Sequence, residues 1–377
     1  MTNVLITGGA GFIGSNLALK LKKRGYGVTI LDNLSPQIHG EDPNNSYTYN
    51  LIKGKVKFIN GCVTNTLDWR KALTNIDVVV HLAAETGTGQ SMYEINKYIE
   101  TNVGGTAKLL EILTNEDHNV KKVVVAASRA VYGEGKFECK QHGIVYPKSR
   151  NDEDMSKGDF EVKCPVCNEL VTMLPTDELS KLHPSSIYGY SKLAQEELSM
   201  IVGESISIPI VAFRFQNVYG PGQSLKNPYT GILSIFSTRI KNGNDINIFE
   251  DGQETRDFVY IDDITDSIIL GIEKEEANNN TFNVGSGEKI DVFTVAKTLK
   301  EKYDVDVQII ISGNYRLGDI RHNLGDLTKI QTMLGYKPKV KFNEGISRFV
   351  DWVKKQEVEA DNYEISIKEM KKKGLYK

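Results

Sequence analysis

Cysteine is scarce: four in 377 residues (Cys62, Cys139, Cys164 and Cys167), too few to staple a secreted fold of this size. An excess of charge of one sign is also missing. The 46 basic side chains face 49 acidic ones, a net charge of −3, which excludes binding of nucleic acid by bulk charge. No apolar run reaches the roughly 18 residues that a membrane span needs. Met1-Thr2-Asn3 puts no basic region ahead of the first short apolar stretch, so no signal peptide is expected. Together these absences point to a cytoplasmic chain that takes neither nucleic acid nor membrane as a partner. Against them stand 40% hydrophobic and 25% charged residues, ordinary for a chain with a sizeable core.

Apolar runs at residues 4–7, 26–32, 56–60, 77–82 and 122–127 read as strands, and residues 11–24, 68–74 and 90–113 between them read as helices. Continuous apolar strands separated by helices predict an α/β fold, a doubly wound parallel sheet covered on both faces. A dinucleotide-binding domain is expected over residues 1–215. Residues 216–377, with glycine-rich turns at 250–252, 285–287 and 313–318, are expected to form mainly a smaller ligand-binding lobe, some segments of which return to the first domain. Residues 357–377 are rich in Lys and Glu and read as a solvated helix. Residues 135–183 break the alternation, turn polar and hold three of the four cysteines, which marks an insertion with its own staple.

Thr7-Gly8-Gly9-Ala10-Gly11-Phe12-Ile13-Gly14 lies between the first strand and the first helix. Without Cβ atoms there, a pyrophosphate can approach the backbone and meet the free N–H groups of the helix N-terminus. Asp32 follows Gly14 by eighteen residues, the place of the acid that grips a ribose 2′-hydroxyl. A carboxylate there repels a 2′-phosphate, and no Arg or Lys lies between Asn33 and Asn50, so NAD is favoured over NADP.

Tyr188 and Lys192 are four apart and share a helical face. A phenol of pKa ~10 must lose about three units to act as a base near neutrality, roughly 4 kcal/mol. One cation about 4 Å away, at an effective dielectric near 20, supplies on the order of 4 kcal/mol. Lys192 is therefore expected to acidify Tyr188. Ser128 ends the apolar run 123–127, at the sheet edge where open α/β folds hold their ligands, and its hydroxyl could share the substrate proton with the phenol.

In combination with T-G-G-A-G-F-I-G at residues 7–14, the chain carries H-L-A-A at 81–84, N-V-x-G-T at 102–106 and S-R-A-V-Y-G at 128–133. Further on come Y-x-x-x-K at 188–192, R-F-x-N-V-Y-G-P at 214–221, R-D-F-V-Y-I-D-D at 256–263 and R-x-G-D at 316–319. In order and spacing these resemble the extended short-chain dehydrogenase/reductase family, in its nucleotide-sugar epimerase and dehydratase branch. The resemblance implies a Rossmann fold with a catalytic trio of Ser128, Tyr188 and Lys192. It implies that Gly8, Gly11, Phe12, Ile13, Gly14, Asp32, Asn33, Leu82, Ala83, Ala84 and Asn102 join Tyr188 and Lys192 around tightly held NAD. It places Glu85, Thr86, Ser128, Arg129, Asn217, Gln223, Asn227, Arg256, Arg316 and Asp319 on a nucleotide-diphosphate sugar, with the two later arginines on the diphosphate. It also implies a homodimer paired through residues 90–113 and 187–202.

Relatives that eliminate water keep acidic residues directly after the active-site Ser or Thr, and this chain has Arg129 and Ala130 there. Dehydratase and decarboxylase chemistry are thereby disfavoured, and hydride exchange at one carbon, a 4-epimerisation, remains. Residues 85–91 and 222–231 and the cysteine-bearing insertion look most like the dTDP-L-rhamnose 4-epimerases. UDP-glucose or UDP-N-acetylglucosamine 4-epimerase, a 4-keto-sugar reductase and a non-catalytic dinucleotide sensor are the alternatives. One departure is Gly61-Cys62, where the family has Gly-Asp at the adenine.

Inside the insertion, Cys139-Lys140-Gln141-His142 and Cys164-Pro165-Val166-Cys167 form two knuckles with two residues between ligands. Three thiolates and one imidazole match a closed, structural zinc ribbon. His183 is a possible replacement for the fourth ligand. Because the insertion is anchored between Ser128 and Tyr188, the ribbon is expected to border the sugar pocket.

Overall fold

The computed structural model describes residues 1–227, 229 and 231–377; Pro228 and Thr230 of the 222–231 segment lie outside the described residues. Seven parallel strands form the main sheet: β1 (Asn3–Thr7), β2 (Gly27–Asp32), β3 (Lys57–Asn60), β4 (Val78–His81), β5 (Lys122–Ser128), β6 (Ile210–Phe215) and β7 (Asn280–Val284). They lie in the order β3-β2-β1-β4-β5-β6-β7, so the direction of winding reverses beside β1. That switch point opens a crevice at the carboxyl ends of the strands.

Side chains alternate between two cores. Val4 and Ile6 of β1 pack with Leu17 and Ala18 of helix α1 (Phe12–Lys23), while Leu5 packs on the other face with Trp69, Val79 and Leu109. Apolar residues on both faces of each strand are what a sheet covered on both sides requires. After β6 the chain builds a second lobe with its own core, including Tyr219, Phe236, Phe258, Leu299 and Phe349. It then returns Ile261–Glu273 to pack against α1 and supplies β7 beside β6.

Two expectations about local structure are corrected. Residues 90–113 do not form one helix: short turns at Thr88–Ser91 and Ile95–Tyr98 lead into a widened π turn, Ile99–Gly104, and then the helix Gly105–Asn115. The widening falls at Asn102, whose side chain is tied to the neighbouring loop. The tail is not solvated either. Helix α3 (Tyr363–Lys372) buries Tyr363, Ile367 and Met370, which cluster with Tyr376 and pack against Phe249. Among the described residues, no helix is long and apolar enough to cross a membrane.

Candidate active site

A cavity of about 910 Å³ runs along the crevice, from the glycine turn after β1 to the second lobe. At its floor, Gly8 adopts φ +65°, and a Cβ there would lie 2.8 Å from the Ala83 backbone. A Cβ on Gly14 would come within 2.5 Å of the Gly8 carbonyl oxygen. The turn therefore stays bare, and α1 begins directly behind Gly11 with its N–H groups directed at the floor. Asp32 ends β2 with one carboxylate oxygen accepting from Ala10 N–H (2.9 Å) and the other from Leu34 N–H (2.8 Å). Burial raises its pKa, and these bonds oppose the rise. Asn33 and Cys62 line the same end, with Asn33 Nδ2 3.8 Å from the Cys62 sulfur. Phe12, Ile13, Leu82, Ala83 and Ala84 complete the wall, a small and apolar cradle that fits a dinucleotide.

Helix α2 (Ile187–Ser205) starts where the Ser186 hydroxyl caps Gly189 N–H (3.1 Å), and it delivers Tyr188 and Lys192 to the cavity opposite Ser128. Burial pushes the Tyr188 phenol above its ordinary value; the Ser128 hydroxyl and then the Arg129 charge act to lower it. Burial also drives the Lys192 ammonium down to about 7. That ammonium donates to the Ala126 carbonyl (2.8 Å) and to Gln195 Oε1 (2.9 Å). The expected acidification of Tyr188 by Lys192 is thus corrected for the resting site. Desolvation outweighs the groups that lower it, and the cation acting on the phenol is Arg129. Arg129 is half-buried on the cavity wall, and its own pKa is lowered to about 9 by desolvation and by Arg256.

The far half of the cavity holds Glu85, Thr86, Asn217, Gln223, Arg256, Arg316 and Asp319. Arg316 is paired with Asp319 (2.7 Å) and lies over the Phe249 ring. Arg256 donates to the Thr255 and Arg321 carbonyls (2.9 Å each), which aims it across the lobe. Polar atoms left without partners collect along this wall: Arg129 Nη1, Gln216 Nε2, Asn217 Oδ1, Gln223 Oε1, Ser224 Oγ and Glu254 Oε2. Buried donors and acceptors are rarely left unpaired, so this concentration marks a wall built for a polar ligand.

Two expected contacts are corrected. Asn102 does not line the cavity: its amide pairs with both backbone groups of Glu85 (2.8 and 3.1 Å) and reaches the Ser191 hydroxyl (2.9 Å), so it holds the loop that lines it. Asn227 is buried beside the cavity residues Lys226 and Tyr229; its Oδ1 accepts from Tyr229 N–H (3.0 Å), and its Nδ2 has no partner among the described residues.

The tail supplies wall residues that the sequence reading missed. Tyr363, Ser366, Ile367 and Met370 of α3 face the cavity. The last residues pair with the Arg316 segment: Tyr315 and Lys377 exchange backbone bonds (2.9 and 3.0 Å), and Leu317 N–H reaches Leu375 O (3.0 Å). The spacing of Tyr363, Ile367 and Met370 is the stripe of a half-buried helix and was the available signal.

In the insertion, Cys139, His142, Cys164 and Cys167 bring one ligand atom each to within 4.8 Å of all the others, and the cysteines are unpaired. Cys139 Sγ lies 3.4 Å from His142 Nδ1 and 3.7 Å from Cys167 Sγ; Cys164 Sγ lies 3.7 Å from the same imidazole nitrogen. His183 is elsewhere, facing the Pro147 and Lys181 carbonyls. Among the described residues, none from 135–183 lines the cavity, which corrects the expected border. The insertion reaches the site indirectly. Arg150 forks onto Glu250 (2.7 and 2.8 Å) and donates to the Asp319 carbonyl (3.0 Å), and Glu161 accepts from Arg321 (2.6 Å).

The chain compares closely with known proteins. Residues 4–152 match the NAD dependent epimerase/dehydratase family and residues 170–349 match GDP-mannose 4,6 dehydratase. A dTDP-L-rhamnose 4-epimerase of Burkholderia thailandensis is 35% identical, covering 95% of this chain and 96% of that protein. The crystal structure of UDP-glucose 4-epimerase from Thermotoga maritima with UDP-glucose is 30% identical, covers 94% of this chain and 99% of its own, and superposes with a TM-score of 0.75. UDP-glucuronic acid 4-epimerase from Bacillus cereus, in complex with UDP-glucuronic acid and NAD, gives 25% identity, the same coverage and a TM-score of 0.75. With the glycine turn, Ser128, Tyr188 and Lys192 gathered on one cavity, the chain belongs to the NAD-dependent epimerase/dehydratase family of extended short-chain dehydrogenases, in its nucleotide-sugar epimerase branch.

Proposed function

We propose that the protein inverts C4 of a nucleotide-linked 6-deoxyhexose, interconverting dTDP-L-rhamnose and dTDP-6-deoxy-L-talose through a 4-keto sugar. The observation that carries this reading is the opening of Ser128 and Tyr188 onto one cavity with Arg129 and Ala130 following Ser128, where relatives that eliminate water keep their acids. Bound NAD would accept and return the C4 hydride. Tyr188 takes the C4 hydroxyl proton and gives it back, and the Ser128 hydroxyl orients the same oxygen. Arg256 and Arg316 hold the diphosphate as forked donors. The 35% identity to a dTDP-L-rhamnose 4-epimerase favours this sugar, and the 30% identity to a UDP-glucose 4-epimerase supports UDP-hexose 4-epimerisation as the second reading.

Incubating the purified protein with dTDP-L-rhamnose and no added cofactor tests the proposal. A C4 epimer seen by NMR supports it. Turnover of UDP-glucose alone moves the assignment to the second reading. A requirement for added NAD(P)H in stoichiometric amounts replaces epimerisation with reduction.

The Cys/His cluster is read as a structural zinc site. A tetrahedron with Zn–S near 2.3 Å and Zn–N near 2.0–2.1 Å has edges of about 3.8 Å between sulfurs and about 3.6 Å between sulfur and nitrogen. The separations of 3.7, 3.4 and 3.7 Å fit those edges. A homodimer is proposed through α2 and the segment before Gly105–Asn115, where Ile95, Tyr190 and Ile201 are exposed.

A further inference from the structure

Behind Lys192 lies a buried chain of polar side chains in which the hydroxyl and imidazole protons have fixed directions. The Thr106 hydroxyl donates to the Asn102 carbonyl (2.6 Å), so its oxygen can only accept from its two other neighbours. Those are Gln195 Nε2 (2.9 Å) and His81 Nε2 (3.0 Å), so His81 carries its proton on Nε2. His81 Nδ1 is then an acceptor and takes the Thr7 hydroxyl proton (2.7 Å), while Thr7 Oγ1 accepts from Ala83 N–H (3.2 Å). At the other end Gln195 is left with Oε1 facing the Lys192 ammonium (2.9 Å). Thr7 ends β1 next to the glycine turn, and Ala83 lines the coenzyme cradle. The chain therefore joins the coenzyme floor to the lysine. Because Thr106 receives two donors and already donates its own proton, the chain is a brace and not a proton wire.

We propose that Gln195 is a positioning residue for the epimerisation: its amide, braced through Thr106 and His81 against Thr7, fixes the Lys192 ammonium at the cavity that Tyr188 also lines. This rests on Tyr188 and Lys192 serving the chemistry proposed above. A buried ammonium needs acceptors, and Lys192 has two, the Ala126 carbonyl and Gln195. The titratable group facing it is His81, which burial and the Lys192 charge keep neutral, down to about 3; Tyr188, one turn earlier on α2, lines the same cavity.

The test uses the NAD-loaded, full-length protein. The protonation midpoint of Lys192 is followed by NMR of side-chain 15N-lysine, its signal assigned by its loss in Lys192→Met. Gln195→Met removes an acceptor and is expected to lower that midpoint by about one pH unit. Gln195→Glu keeps the acceptor, adds a negative charge and is expected to raise it by at least as much. The alkaline limb of the kcat–pH profile should move in the same opposite directions. Thr106→Val should move the midpoint as Gln195→Met does, by less, and Thr106→Ser should restore it, which keeps the idea testable if one Gln195 variant does not fold. Midpoints that stay at the wild-type value in both Gln195 variants, or in Thr106→Val, overturn the brace. If the wild-type protein turns over no nucleotide sugar, the functional reading fails, and the NMR titration still decides the role of Gln195.

Discussion

The coenzyme half and the insertion solve the same problem, holding a few polar side chains in place, by opposite means. Around the glycine turn, position comes from burial: β1, β4 and β5 are apolar on both faces, and the polar groups that remain, Thr7, His81, Thr106 and Gln195, bond one another. The insertion has five buried residues in its small apolar cluster, two of them the thiols Cys139 and Cys164. Its residues gather in the Cys139, His142, Cys164 and Cys167 cluster and in ion pairs to the second lobe, where the Arg321 guanidinium is fully buried between Glu161, Glu250 and Asp251. A region with too little apolar surface to offset chain entropy takes its order from a few strong, specific bonds.

That contrast can be broken at either end. Tyr188→Phe should leave the burial-built half intact while abolishing its chemistry, with turnover down by about 10³-fold and bound NAD retained; turnover within tenfold of wild type removes Tyr188 as the proton carrier. Cys164→Ser, or a chelator, should act only on the other region. Zinc near one per chain should be lost, and the insertion should become open to proteolysis while β1–β6 keep their hydrogen-exchange protection. A metal-free protein with full protection in residues 135–183 refutes the zinc.

Smaller effects sharpen the comparison. Removing residues 358–377 strips Tyr363, Ile367 and Met370 from the cavity wall and frees the Arg316 segment, so KM for the nucleotide sugar should rise by about tenfold, with less change in kcat. The pH dependence of stability separates the two regions further. His81 is held neutral when folded, down to about 3, whereas unfolded it titrates near 6.5. The unfolded chain therefore binds the extra proton, and stability should fall as pH drops below 6.5 by about 1.4 kcal/mol per unit, a slope that His81→Gln should remove. In the insertion, the His322 and Arg321 bonds lower Glu161 to about 2, so its contribution is complete above pH 4.5 and lost as pH falls toward 2. Glu161→Gln should flatten only that lower, weaker dependence, since Glu161 is half exposed.

What the sequence determined by itself is local. A glycine turn between an apolar strand and a helix, a Tyr and Lys on one helical face, and Cys/His pairs with two residues between them are written in short spacings, because each depends on backbone geometry within a few residues. The order of the motifs along the chain was enough to name the family. Only the tertiary structure decided how those groups are set against one another. It turned Asn102 from the coenzyme to the Glu85 backbone, drew the charged tail over the cavity, tied Arg150 to Glu250 a hundred residues away, and let burial raise the Tyr188 phenol. Desolvation and the partners of a buried polar atom depend on residues distant in the chain, and no local pattern encodes them.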